Sequence, residues 1–268
     1  MAIATVAGAD VGTALRLGLS MFGIQISIGA LNDVVDAPAD AVAKPRKPIP
    51  AGLVQPRVAS AVAVAGGLIG VALSAASNGW TAAIAVVCAG LGYLYDVRLS
   101  RSALSWLPLS LALPFLPLHA WVGATGEIPT GLVTLVPVGV IGGGGLALAN
   151  GLVDVERDRH SGKRSATAVL GRRRTWLVQT AALSVALVLA AAIAPGGGSD
   201  GTGLGLIGCL RVDGIPLGGG LMALGAGLLS LDRPALRERG WELEALGIAG
   251  IGVGWIAGVA IAKGAIGA

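Results

Sequence analysis

The sequence predicts an all-α integral membrane protein built as one multi-span helical bundle. Of its 268 residues, 54% are hydrophobic and only 13% are charged, whereas soluble domains carry about 25% charged residues. The apolar residues lie in continuous runs of about 20, the length that a transmembrane helix requires, and they do not alternate as barrel strands do. This composition argues against a soluble enzyme, a disordered chain and a nucleic-acid-binding protein.

Eight apolar segments are predicted to span the membrane. The seventh contains Arg211, Asp213 and Pro216, so we expect it to be broken or to begin as a re-entrant segment. We expect the whole chain, 1–268, to form one domain with two motif-bearing halves at about 1–130 and 131–268. The eight segments cover residues 11–31, 57–77, 80–95, 104–124, 131–152, 175–195, 203–230 and 245–263.

The basic residues predict the orientation of the bundle. With eight spans, the first, third, fifth and seventh loops share one side, and they hold 16 of the 19 basic residues. The opposite loops hold Glu127 and Asp200 but no Lys or Arg. Because basic loops stay in the cytoplasm, we expect the protein to lie in the cytoplasmic membrane with both termini outside. The net charge of +4 reflects this topology rather than a nucleic-acid partner.

Seven of the fifteen acidic residues fall at three places on the predicted cytoplasmic face, after the first, third and fifth spans. Ionisable residues beside a membrane span are costly and mark functional sites by default. We therefore expect the chemistry to lie at this face. The seven residues are Asp33, Asp36, Asp40, Asp96, Asp154, Glu156 and Asp158.

The first acidic cluster follows the first span. Asn32 and Asp36 are one helical turn apart and would share a face. Pro38 disfavours helical backbone at the residue before it, so we expect the helix to end near Asp36 and to leave Asp40 on a turn that folds back.

The second cluster repeats this pattern, with Asp154 and Asp158 one turn apart and Glu156 pointing elsewhere. Oxygen ligands gathered at one membrane depth suit Mg²⁺, and carboxylates this close repel each other unless cations lie among them. Carboxylates with adjacent Lys and Arg side chains are typical of a site for a metal-bound polyphosphate. The basic neighbours are Lys44, Arg46, Lys47, Arg98, Arg101, Lys163 and Arg164.

These clusters resemble the two motifs of a known enzyme family. The stretch from Asn32 to Gly52 resembles the first Asp-rich motif of the UbiA superfamily of intramembrane prenyltransferases, and the stretch from Asp154 to Thr167 resembles the second. Tyr95, with Arg98 and Arg101 after it, lies where the family has a Tyr-x-x-x-Lys motif. The resemblance is strong over residues 30–175.

The resemblance implies a central cavity open toward the lipid, in which Mg²⁺ binds the diphosphate of a polyprenyl donor. The allylic C–O bond ionises, and an aromatic or lipid acceptor captures the cation. The resemblance does not decide whether the product belongs to lipid or to quinone biosynthesis. The implied metal ligands are Asn32, Asp33, Asp36, Asp40, Asp154 and Asp158. The implied catalytic residues are Asp36, Asp154, Asp158 and Tyr95, and the implied diphosphate-binding residues are Lys44, Lys47, Arg98, Arg101 and Lys163.

The chain departs from the family pattern at three positions. The family has nine spans, whereas the first motif here begins at Asn32 with room for only one span before it, so either the first helix is missing from this sequence or the chain is a shortened member. Leu99 stands where the motif starting at Tyr95 has a lysine, and we expect Arg98 or Arg101 to substitute. Lys47 stands where the family usually has arginine, which replaces a bidentate fork with a point charge.

Two other functions remain open from the sequence. A membrane terpene cyclase of the same superfamily would ionise the donor and capture the cation internally, although aromatic residues, which stabilise such cations, make up only 4% of the chain. An ion-coupled transporter would also need acids within a bundle, but the acidic clusters here lie at one membrane face.

Overall fold

The computed structural model describes residues 1–128, 130–160, 162–194 and 206–262. Within these residues all regular structure is helical. A π-helical segment, Tyr95–Leu99, follows α4 directly. Helices α1 to α13 cover, in order, Ala2–Val6, Val11–Ala43, Pro56–Ala75, Gly79–Leu94, Leu107–Ala112, Phe115–Thr125, Thr130–Thr134, Val136–Val153, Val155–His160, Ala166–Leu170, Arg172–Ala192, Leu206–Ser230 and Pro234–Ala262.

Seven helical segments of the described residues are long and apolar enough to cross a membrane. A further apolar segment, Gly214–Ser230 within α12, is shorter. The predicted all-α, multi-span architecture is confirmed. The seven segments are Val11–Ala43, Pro56–Ala75, Gly79–Leu99, Leu107–Thr125, Val136–Val153, Arg172–Ala192 and Pro234–Val259.

Glycines allow the helices to approach closely. A Cβ on Gly66 of α3 would lie 2.8 Å from the carbonyl oxygen of Gly23 on α2, and one on Gly240 of α13 would lie 2.7 Å from that of Gly225 on α12. Lipid tails are as apolar as leucine side chains, so helices in a membrane associate through such close backbone contact. Two tight pairs result, α2 with α3 and α12 with α13.

Helix α2 is longer than the sequence predicted. Asp10 caps its start, where its carboxylate accepts a hydrogen bond from the Thr13 amide at 3.1 Å. The helix then continues through Pro38 to Ala43, so the prediction that it ends near Asp36 with Asp40 on a turn is wrong. Proline removes one amide donor from the helix, and the ladder resumes beyond it, with the Lys44 amide donating to the Asp40 carbonyl at 2.7 Å.

The last two helices also differ from expectation. Helix α12 is continuous from Leu206 through Pro216 to Ser230, so the predicted break is absent there, although residues 203–205 and the side chains of Arg211 and Asp213 lie outside the described residues. Helix α13 begins at Pro234, well before the predicted residue 245. Its first turns contain charged residues, so a prediction based on continuous apolar segments does not include them.

Candidate functional site

The two acidic clusters line one cavity of about 350 Å³, although 118 positions separate Asp36 from Asp154 in the chain. Helix α2 contributes Asp36 and Asp40, and the junction between α8 and α9 contributes Asp154 and Asp158. This is the convergence that the sequence predicted. The cavity is lined by Asp36, Ala39, Asp40, Ala43, Lys44, Arg101, Asp154, Arg157, Asp158, Gly162, Lys163 and Arg164.

The unbroken α2 aligns its three aspartates. Asp33, Asp36 and Asp40 recur at helical spacing and lie on one face. Lys47, from the loop after α2, forms ion pairs with Asp33 at 2.7 Å and with Asp40 at 2.8 Å. Burial alone would lower the pKa of Lys47, but the hydrogen bonds to these two aspartates outweigh it and raise the pKa above its usual value. Lys47 therefore stays protonated and holds the end of α2 to its own loop.

An ion pair joins the two motifs across the cavity, and further pairs flank it. Lys44, which follows α2, pairs with Asp154 at 3.3 Å. Asp154 also pairs with Arg157 at 2.6 Å, and Arg101 pairs with Asp36 at 3.2 Å. Each of these pairs is partly exposed, so each contributes little to stability by itself. Their effect is to place a cation beside carboxylates that would otherwise repel one another.

The second motif is organised by the short turn after α9. The Asp158 carbonyl accepts a hydrogen bond from the Lys163 amide at 2.9 Å, and Gly162 adopts a φ of +71°, which glycine reaches without strain. This turn brings the Lys163 ammonium to 3.6 Å from the Asp158 carboxylate. Ser165, which caps α10, donates to the same carboxylate at 3.1 Å.

Glu156 points away from the cavity, as predicted. It accepts two hydrogen bonds from Arg237 of α13, at 2.9 and 2.7 Å. Burial acts to raise the pKa of Glu156, but the hydrogen bonds from Arg237 outweigh it and hold the pKa below its usual value. Glu156 is therefore ionised at neutral pH and joins the second motif to the last helix.

Asp96 is a polar residue of this region that the site prediction left out. Its side chain is buried, and one carboxylate oxygen accepts a hydrogen bond from the Asn32 amide at 3.1 Å. The other oxygen has no hydrogen-bond partner among the described residues. The sequence offered a signal for it, since Asp96 is an acid at the same membrane face as the two motifs.

A second cavity, of about 220 Å³, lies among α2, α4, α5 and α8 and is mostly apolar. Its polar lining residues include Gln25, Tyr95 and Asn150. Tyr95 directly precedes Asp96, and Asn150 lies one helical turn before Asp154. Helix α2 contributes first to the apolar lining and, about two turns further on, to the acidic lining, so the two cavities follow each other along this helix. Tyr95 belongs to the lining of the apolar cavity.

Four other predicted site residues lie outside the acidic cavity's lining. Asn32 contacts Asp96, while Asp33 and Lys47 form the ion pair beside the cavity. Arg98 is exposed to the surroundings. Of the two arginines expected to replace the lysine missing at position 99, Arg101 is therefore the one that reaches the acidic cavity.

The donor set fits Mg²⁺ in its chemistry. The acidic cavity offers several carboxylates, which are the hard oxygen ligands this ion prefers, and Asp96 adds an unpartnered buried oxygen nearby. Among the described residues, no three His, Cys, Asp or Glu side chains converge closely enough to form a metal cluster. Basic side chains lie beside the carboxylates instead, so metal binding would require Lys44 and Arg101 to exchange partners.

The fold and the site together define a helical membrane protein in which an acidic and basic cluster adjoins an apolar cavity. The UbiA prenyltransferase family matches residues 1–231. The chain belongs to this family.

Individual relatives support this assignment. A digeranylgeranylglyceryl phosphate synthase from Methanopyrus kandleri is 32% identical over 171 residues, which are 62% of this chain and 58% of that relative. The chain thus spans less than two thirds of this relative's length.

Solved structures show the same fold. The apo structure of a UbiA homologue from Aeropyrum pernix K1 has a TM-score of 0.72 at 20% identity, covering 98% of this chain and 94% of that one. A UbiA homologue from Archaeoglobus fulgidus, bound to GPP and Mg²⁺, has a TM-score of 0.70 at 16% identity, covering 94% and 93%.

Proposed function

We propose that this protein transfers a polyprenyl group from an isoprenoid diphosphate to an acceptor within the membrane, in a Mg²⁺-dependent reaction. The observation that carries this proposal is the shared cavity, in which carboxylates from both acidic motifs lie with Lys44, Arg101 and Lys163. A cavity lined by carboxylates alone would suit a cation. The added basic residues suit the oxygens of a diphosphate as well.

In this proposal the aspartates hold the metal and the basic residues bind the donor. Asp36, Asp154 and Asp158 are the principal ligands, with Asp40, Asp33 and Asn32 completing or supporting the set. Bound Mg²⁺ neutralises charge on a departing diphosphate. The diphosphate oxygens replace the carboxylate partners of Lys44, Arg101 and Lys163. The positive charges of these side chains then stabilise the negative charge that develops on the diphosphate as the C–O bond breaks.

The apolar cavity accommodates the isoprenoid part of the donor. Its aliphatic lining includes Ile28, Leu113 and Leu116, which offer no nucleophile and keep water from the reacting carbon. Tyr95 and Asn150 lie where this cavity adjoins the acidic one, so they would contact the reacting end of the chain. We assign Tyr95 the catalytic role of orienting the allylic carbon between the two compartments.

The acceptor that we favour is a glyceryl phosphate lipid. The relative from Methanopyrus kandleri bears the name of an enzyme with such a product, and a membrane-embedded site suits an acceptor that is itself a lipid. We further propose that the acidic face lies in the cytoplasm, where the basic loops stay, and that residues 1–268 act as one domain.

The proposal is tested with the protein reconstituted in lipid nanodiscs. Geranylgeranyl diphosphate, Mg²⁺ and either a geranylgeranylglyceryl phosphate or an aromatic acid are supplied, and diphosphate release and product mass are measured. Asp36→Asn and Asp154→Asn are each expected to lower diphosphate release by at least about a hundredfold, the scale seen when a group stabilising developing charge is lost. Asp232→Asn, an exposed aspartate paired with Arg172, is the control and retains the activity.

Each competing function predicts a different result. A cyclic product formed from the donor alone would indicate a terpene cyclase. Ion-driven flux without diphosphate release would indicate a transporter. Full diphosphate release by both aspartate variants would contradict the proposed role of the acidic motifs.

A further inference from the structure

The side chain of Arg237 is buried in the protein although it carries a full charge. It projects from the first turns of α13, and the residue is 1% exposed. A buried charge is costly unless it is paired and hydrogen-bonded. A buried arginine therefore needs partners that balance its charge and accept its hydrogen bonds.

The partners of Arg237 lie on both sides of Asp154. Its guanidinium donates two hydrogen bonds to the Glu156 carboxylate, at 2.9 and 2.7 Å. It donates a third, at 3.0 Å, to the Leu152 carbonyl. This planar fork restricts the orientation as well as the distance of the carboxylate, which a lysine cannot do.

The contacts of Arg237 span the point at which the chain changes direction. Helix α8 ends at Val153, Asp154 has non-helical backbone dihedrals of −109° and 11°, and α9 begins at Val155. The last carbonyls of a helix have no partner within that helix, and Arg237 supplies one for Leu152. It thereby fixes the end of α8 relative to the start of α9.

We infer that Arg237 is a positioning residue, which acts through Glu156 and Leu152 to set the orientation of Asp154 and Asp158 toward the acidic cavity. This inference rests on the proposed function. Arg237 itself does not line the cavity, and the hydrogen bonds described above link it to Glu156 and Leu152. Its role is to hold the turn that carries both of them.

Metal affinity measured without turnover tests the inference. Mn²⁺ binding to the protein in detergent, with inorganic diphosphate present, is followed by electron paramagnetic resonance. Arg237→Lys keeps the charge and removes the fork, and we expect it to weaken Mn²⁺ binding about tenfold, the lower end of the effect of residues that orient metal ligands. The same variant is expected to need more Mg²⁺ for half-maximal diphosphate release.

Two further variants keep the test decisive. Arg239→Lys is the matched control, because Arg239 lies two residues away on α13 and is exposed, with an ion pair to the nearby Glu242. This variant should bind Mn²⁺ as the wild type does. Glu156→Gln removes the charge of the partner with little change in shape and should weaken Mn²⁺ binding as Arg237→Lys does.

The possible results separate the two proposals. Folded Arg237→Lys and Glu156→Gln proteins that bind Mn²⁺ within twofold of wild type would overturn the positioning role alone. Failure of both variants to fold would also overturn it, because the pair would then serve the fold rather than the site. A wild-type protein that binds no Mn²⁺ with diphosphate would contradict the proposed function as well.

Discussion

The contact between α2 and α3 can be tested by a single added methyl group. In Gly66→Ala the new Cβ would lie 2.8 Å from the Gly23 carbonyl oxygen and 3.3 Å from the Ser27 amide nitrogen. The first distance is about 0.6 Å short of ordinary van der Waals contact, which begins at 3.4 Å. Both neighbours are backbone atoms of a helix, so the two helices must separate. Overpacking of this kind costs about 1–3 kcal/mol.

Gly29→Ala is the matched control on α2, because a Cβ there would meet, among the described residues, no atom within 4 Å apart from the backbone of its own helix. Alanine favours the helix over glycine by about 0.5–1 kcal/mol at either position, so this gain is common to the two variants. The difference between them is therefore the overpacking cost. At about 2–4 °C per kcal/mol for a protein of this size, an overpacking cost of about 1–3 kcal/mol means that Gly66→Ala should melt roughly 2–12 °C below Gly29→Ala.

The measurement is thermal unfolding in detergent, followed by circular dichroism, with both variants scanned at the same rate. Because α2 carries the acidic residues of the first motif, Gly66→Ala should also lose more of the proposed prenyl transfer activity than Gly29→Ala does. Equal melting temperatures for the two variants would refute the close backbone approach of α2 and α3.

Three further predictions concern the two ends of α2. Asp10→Ala should lower the melting temperature relative to Asp10→Asn, which keeps the cap. The hydrogen bond of the Thr13 side chain lowers the pKa of Asp10 below 3.8. The stability that the Asp10 charge adds, measured as the difference in melting temperature from Asp10→Asn, is therefore present above pH 3.8 and is lost as the pH falls through the lowered pKa. A difference in melting temperature that does not change in acid would contradict this. Pro38→Ala should raise the unfolding free energy by about 1–3 kcal/mol, because it restores an amide donor in a helix interior; an unchanged melting temperature would argue that the helix is already interrupted there. Lys47→Met should lower the unfolding free energy by about 1 kcal/mol, since it removes two partly exposed ion pairs, whereas Lys47→Arg should keep the stability of the wild type. Equal stability of the two variants would contradict a stabilising role for these ion pairs.

Much of the fold followed from the sequence because the membrane imposes a length and a composition on every span. The convergence of the two acidic motifs was also predictable, since both motifs follow spans that end at the same face. The partner of Lys44 was not predictable in the same way. Its pairing with Asp154 depends on where the bundle places the end of α2 relative to the end of α8. The spacing of residues within either motif does not contain this information.

The two errors in helix boundaries have local causes. The steric clash before a proline disfavours helical backbone but does not forbid it. In this protein Lys47 contacts Asp33 and Asp40 at once and thereby holds the part of α2 beyond Pro38. The start of α13 was missed because Arg237 reads as a solvated loop charge. The ion pair between Arg237 and Glu156 is visible in the structure and is not indicated by the sequence.

The continuity of α2 means that its three aspartates share one rotational setting. A residue inserted between Gly29 and Asn32 would turn everything after it by about 100° around the helix axis and would rotate Asp33, Asp36 and Asp40 away from the cavity together. An insertion in the loop after Lys47 would leave that setting untouched. Tolerance to added residues should therefore change abruptly where the helix ends, so the spacing between the membrane-embedded part of α2 and its acidic end is itself a requirement of the site.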